Sequence, residues 1–149
     1  MPTLFRGQRK DNNTWVKGCL IRRLLVHGLM QNNLRCFISE NAAYANPADW
    51  IFYEVIPETV GEFIGILDIH GNEIFTQDKI CQLNDYVSEE ADWGFVSYDN
   101  DSASFVRTSA LHSSPQPLST LNRYEIIGNF IDDNQPKYPK ENINNDNHS

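Results

Sequence analysis

The sequence predicts a mainly β protein: a small barrel-type domain of the SH3-like kind with an added N-terminal β-meander and few short helices. Three observations predict it. Apolar and β-branched residues fall in short runs punctuated by Gly, Asn, Asp and Pro. No stretch carries an apolar stripe at helical spacing for three turns. The chain has 149 residues, 40% hydrophobic and 11% aromatic, enough to bury a core without a disulfide or a metal.

The elements follow in order. Residues 4–10 and the Thr14–Ile21 run are strands, joined by the Asp11-Asn12-Asn13 turn cluster. Leu24–Met30 is an apolar run broken at Gly28; Gln31-Asn32-Asn33 turns the chain, and Leu34–Ser39 is the next strand. Residues 41–50 form a loop in which Pro47 biases Asn46 away from helix. Ile51–Ile56 and the run after Pro57 are strands, and Asp68-Ile69-His70-Gly71-Asn72 is a hairpin turn, with Gly71 supplying a positive φ and Asp68 an Asx-turn. Glu73–Phe75 and Lys79–Leu83 are short strands separated by a Thr76-Gln77-Asp78 turn. Ser88–Ala91 has the composition of one helical turn. Gly94–Tyr98 and Ser102–Val106 flank the Asp99-Asn100-Asp101 hairpin loop. Pro115 and Pro117 mark a loop, and Asn122–Ile131 is a last, interrupted strand. Residues 1–131 are expected to form one domain, with 1–50 as its sheet portion and 51–131 as its barrel-like portion; the polar stretch 132–149 is expected to be a disordered tail.

Composition excludes several classes. No run of about 18 apolar residues exists to form a membrane-spanning helix. The opening MPTLFRGQRKDNN lacks the apolar core of a signal peptide, which predicts a cytoplasmic protein. Cys19, Cys36 and Cys81 are widely spaced and make no metal-binding or redox pair; three reduced thiols are expected. The first 35 residues carry seven basic side chains and one acidic, whereas residues 36–149 carry five basic and 19 acidic. Such a body repels polyphosphate. The asymmetry suits two halves lying side by side in one domain, internal docking, or a head-to-tail contact between subunits.

The segment from Pro57 to Phe75, PETVGEFIGILDIHGNEIF, resembles the signature of the YopX family, approximately E-T-V-G-Q-Y/F-T-G-L-x-D-x-N-G-x-E-I-Y/F-E-G-D-I-V. Glu58, Thr59, Val60, Gly61, Gly65, Asp68, Gly71, Glu73, Ile74, Phe75 and Asp78 stand at its positions. The opening from Phe5-Arg6 through Trp15, and the closing Tyr124-Glu125-Ile126-Ile127-Gly128-Asn129, are similar to the family's first and last blocks. The resemblance spans about residues 4–133. Three departures stand out: Gln77 replaces the glycine of the E-G-D turn, Gln8 an opening aromatic, and Ile131 the closing tyrosine. The resemblance implies a small product of phages or prophages, without assigned catalytic residues. It implies structural roles for Gly61, Gly65, Asp68, Gly71, Asp78 and Gly128.

Residues that carry chemistry are sparse. No phosphate-cradling glycine loop exists. His27, His70, His112 and His148 are scattered, and nothing marks Cys81 with His70 or His112 as a nucleophile–base pair. Glu58, Glu62, Asp68, Glu73 and Asp78 are expected to form a solvated acidic face. No catalytic, cofactor-binding or metal-ligating set is therefore expected. The candidate ligand or interface residues are Arg6, Trp15, Arg22, Arg23 and Trp50. Exposed sheet edges favour a homo-oligomer. The expected function is that of a non-enzymatic accessory protein that binds a host or phage protein. The alternative is a nucleotide-like small ligand held between subunits by Arg22, Arg23, Trp15 and Trp50. Direct nucleic-acid binding through Arg6, Arg9, Lys10, Arg22 and Arg23 with Phe5 and Trp15 is the lesser expectation.

Overall fold

The computed structural model describes residues 4–27, 30–83, 93–109 and 114–134, with the backbone alone for 24–27 and 30–33. The first sheet holds β1 (Phe5–Gln8), β2 (Trp15–His27), β3 (Met30–Ser39), β4 (Phe52–Val55), β5 (Gly61–Leu67) and β6 (Glu73–Phe75) in the order β4-β3-β2-β1-β5-β6. The second holds β7 (Asp78–Leu83), β8 (Trp93–Asp99), β9 (Ser104–Thr108), β10 (Gln116–Pro117) and β11 (Arg123–Asn129) in the order β10-β9-β8-β7-β11. All pairings are antiparallel. The protein is mainly β, as the alternation of short apolar runs predicts. Among the described residues neither sheet closes into the expected barrel. After β6 the chain passes to β7, which pairs with β8 and β11 instead of β6.

Two apolar clusters form the core, one within the first sheet and one between the sheets. Val16, Cys36, Ile38 and Val55 form one, flanked by Phe5, Leu20, Tyr53 and Val60. Ile74, Ile80, Val96 and Tyr124 form the other, joining β6 to the second sheet, with Ile64 and Ile66 packed against it.

The long β2–β3 hairpin departs from expectation. Gln31, Asn32 and Asn33 do not turn the chain; they lie within β3, which pairs with β2 from Cys19↔Ser39 to His27↔Met30. The ladder, which runs on through a register shift between Leu25 and His27, overrides the turn preference of the three polar residues. β1 covers β2 only as far as Gly18, and β4 covers β3 only from Cys36 onward. Beyond those points, among the described residues, the two strands pair only with each other.

Three border strands, β4, β10 and β11, are guarded. Residues 8–10 run along β4, with Lys10 N–H donating to Glu54 O at 3.0 Å and Ile56 N–H to Gln8 O at 2.8 Å. The β5–β6 turn covers β11: Ile69 N–H donates to Tyr124 O at 2.9 Å, and Ile126 N–H to Asp68 Oδ2 at 3.4 Å. β10 is two residues long and contains Pro117, which cannot donate to a further strand.

Local chemistry explains the turns. Asp68 Oδ1 accepts the N–H groups of His70 and Asn72, both at 2.9 Å, as expected of an Asx-turn, and Gly71 has φ 82°. Gly65 lies where the β5–β6 register shifts. A Cβ on Gly61 would stand 2.7 Å from Thr76 O, so only glycine lets the two backbones approach. Gln77 takes a left-handed φ of 75°, the conformation that the family's glycine suits. It is held there by Gln77 N–H to Val96 O, Phe130 N–H to Gln77 O (2.7 Å each) and its own side chain on Glu58 O at 3.1 Å.

Phe130 and Ile131 do not prolong the last strand. They open helix α1 (Phe130–Asn134), which also takes in Asp132 and Asp133. Asn129 caps it reciprocally with Asp132, accepting the Asp132 N–H at 2.8 Å and donating to its carboxylate at 2.6 Å. The helical turn expected at Ser88–Ala91, the break at Gly28, the residues His112 and His148, and the tail from 135 lie outside the described residues.

Candidate functional site

The five candidate residues fall in three places. Arg6 and Trp15 come together at the junction of the sheets. Arg6 is nearly buried, with Cζ 4.9 Å from the Trp15 ring centroid and 4.8 Å from that of Phe75. Its Nη2 lies 2.7 Å from Oδ1 of Asp78, whose side chain is 1% exposed. Asp78 Oδ2 accepts the Phe75 N–H at 2.8 Å. Burial pushes the Asp78 carboxyl up, and the Arg6 charge and the Phe75 N–H only partly offset it. The cluster ties β1 to β7 across the two sheets.

The expected solvated acidic face is therefore wrong at two positions. Asp78 and Asp68 are both buried, because each satisfies backbone N–H groups that solvent does not reach. At Asp68 burial raises the carboxyl, but donation from Asn72, His70 and Ile126 outweighs it and holds it below the usual range.

Arg22 and Arg23, adjacent on a strand, point to opposite faces. Arg22 borders a cleft of about 290 Å³ between the sheets, with Phe5, Glu62, Gln77, Ser97 and Tyr98. Arg23 borders an open apolar groove of about 290 Å³ on the outer face of β2–β4, lined by Ile21, Phe37 and Phe52. Trp50 reaches this face through Phe52, edge-on at 6.0 Å, and its Nε1–H donates to Ala45 O at 2.9 Å. The structure thus joins Arg6 to Trp15 and brings Arg23 and Trp50 to Phe52. Arg22 stands apart, so one chain does not gather Arg22, Arg23, Trp15 and Trp50 into one pocket.

The groove residues Ile21, Phe37 and Phe52 were not singled out in the sequence. They meet only because of register: Ile21 pairs with Phe37, and Ser39 beside it with Phe52. On the same outer face Arg35 makes two parallel bonds to Glu54 (2.9 and 2.8 Å) while its Cζ lies 5.1 Å from the Phe37 ring centroid. Lys10 adds a third contact at 3.2 Å. The Arg35 bonds, with Lys10, hold the Glu54 carboxyl down at about 2.

Most of the basic N-terminal side chains are spent on such pairs, including Arg9 with Asp11 and Lys17 with Glu73. Arg22 and Arg23 are exposed and have no ion pair among the described residues. Cys81 is buried, whereas His70 is exposed with Nε2 3.3 Å from Glu125. Among the described residues no group of three His, Cys, Asp or Glu is placed to hold a metal, and no helix is long and apolar enough to cross a membrane. The arrangement offers binding chemistry: an apolar groove with a cationic rim, and a mixed cleft with one arginine.

No curated protein matches the chain. A family model described as YopX protein matches residues 4–135, a stretch that contains both sheets, the Asp68 and Gln77 turns and helix α1. That match takes in the Arg6–Asp78 junction and every strand between, and the chain belongs to the YopX family.

Proposed function

We propose that this protein is a non-catalytic phage or prophage accessory protein that works by assembling with copies of itself and presenting the assembly to a host or phage protein in the cytoplasm. One observation carries it: the outer face of β2–β4 leaves Ile21 and Phe52 about two-fifths exposed (42% and 38%) around an open groove rimmed by Arg23. Apolar side chains grouped in this way mark interaction surfaces. Native mass spectrometry of the wild type tests it. Multiples of the 17.1 kDa chain are expected at tens of micromolar. A strict monomer at that concentration overturns assembly.

A second function has its own observation, the inter-sheet cleft. Arg22 with Phe5 and Tyr98 suits an anionic ligand bearing a flat ring, while Glu62 opposes dense negative charge. A retained adduct of a few hundred daltons, lost on Arg22→Glu, would favour it.

A further inference from the structure

We infer that the β2–β3 hairpin is the donor half of a head-to-tail contact between copies of this chain, docking on the acidic end of the second sheet at helix α1. The inference rests on the assembly proposed above and adds which surfaces meet and with what symmetry.

The hairpin is exceptional in three ways. Among the described residues it carries the longest borders that lack a neighbouring strand, whereas β4, β10 and β11 are tied down, shortened or capped. A two-stranded ribbon is marginal in water unless something packs on it. Its sequence is strongly apolar, with Leu20, Ile21, Leu24, Leu25, Val26, Met30 and Leu34, and Ile21 and Leu34 are more than two-fifths exposed. Its charge is of one sign. Between Trp15 and Ser39 stand Lys17, Arg22, Arg23 and Arg35 and no acidic residue, so all twenty acidic side chains lie elsewhere.

Charge selects the partner surface. A two-fold contact centred on the hairpin would lay one hairpin against another, bringing Arg22 and Arg23 towards their own copies, and like charges across a contact are repulsive. A head-to-tail contact sets the hairpin against the acidic body instead. At α1 the exposed carboxylates of Asp132 and Asp133 stand beside Ile127 (48% exposed) and Phe130 (47%), and a 3.8 Å contact to Lys79 is the sole ion pair there among the described residues. Apolar side chains with acid meet apolar side chains with arginine. A head-to-tail contact between two different surfaces repeats into a ring where its rotation closes and into an open filament where it does not.

The test is complementation. Arg22→Glu/Arg23→Glu disables the donor and Asp132→Asn/Asp133→Asn the acceptor, all at exposed positions. Each variant alone is expected to run as a 17.1 kDa monomer, and their mixture as a 1:1 dimer, because one working contact remains. Circular dichroism checks that each is folded, and the wild type supplies a second measurement free of that concern. Its assembly is expected to dissociate as salt rises from about 0.05 to about 0.5 M, where exposed charges are screened. Either variant keeping the wild-type mass, a mixture that stays monomeric, or a salt-insensitive oligomer overturns the inference while leaving assembly standing. A monomeric wild type removes both.

Discussion

Two arginine–carboxylate pairs in this protein share their chemistry and differ in their surroundings. Arg6 and Asp78 meet between the sheets, under the rings of Trp15 and Phe75. Arg35 and Glu54 meet on the outer face, with Lys10 beside them. The outer pair depresses its carboxyl to about 2, yet the inner carboxyl is raised. Burial decides the difference. Water has been removed from Asp78, and the arginine does not fully replace it. A strong shift on the surface is thus a poor guide to stability, and the inner pair is the one in which loss of a partner strands a buried charge.

Breaking the inner pair should have the largest effect. Arg6→Met leaves the Asp78 carboxylate buried without its counter-charge. A loss of about 3–5 kcal/mol is expected in denaturant unfolding. A loss below about 1 kcal/mol would mean that Asp78 takes up a proton once the arginine is gone.

Asp68 comes next and sharpens the contrast through pH. Its carboxyl is lowered, so its contribution is complete above the unfolded value of about 4 and is lost as pH falls through the folded value. Asp78 runs the other way. Its raised carboxyl binds a proton more readily folded than unfolded, so acid relieves its burial. Asp68→Asn should therefore be less stable at neutral pH, by about 1–3 kcal/mol for the weakened N–H acceptance. It should also show a shallower fall in stability below about pH 4 than the wild type. An unchanged acid profile would place the acid sensitivity on other carboxylates.

The outer pair should matter least. Glu54→Gln is expected to leave the melting temperature indistinguishable from the wild type at ordinary salt. A clear drop would show that Arg35, once released, disturbs Phe37 and the groove beside it.

How much of this was legible follows from how far each interaction reaches along the chain. The Asp68 turn was legible because its partners, His70 and Asn72, are neighbours in sequence. The mainly β class was legible from the alternation of short runs. The burial of Arg6 was not, since its counter-charge and its second ring lie far along the chain in other strands. The Gln31–Asn33 stretch reads as a turn on residue type alone, and only the ladder from Cys19↔Ser39 onward shows otherwise. The groove needs two registers at once to place Ile21, Phe37 and Phe52 together. Arg23 and Trp50 were found by residue type, but the apolar residues that connect them were not.

The Asp68 carboxylate has one more consequence. One oxygen folds the turn, and the other occupies the Ile126 N–H on the rim of β11, where an additional strand would otherwise bond. A single side chain thus stands in for a missing strand. An unoccupied rim is a template on which like chains stack into fibrils. Protonation of Asp68 therefore does more than weaken the native state: it uncovers the template, so acid exposure below the ordinary carboxylate range should leave insoluble protein that neutralisation does not recover.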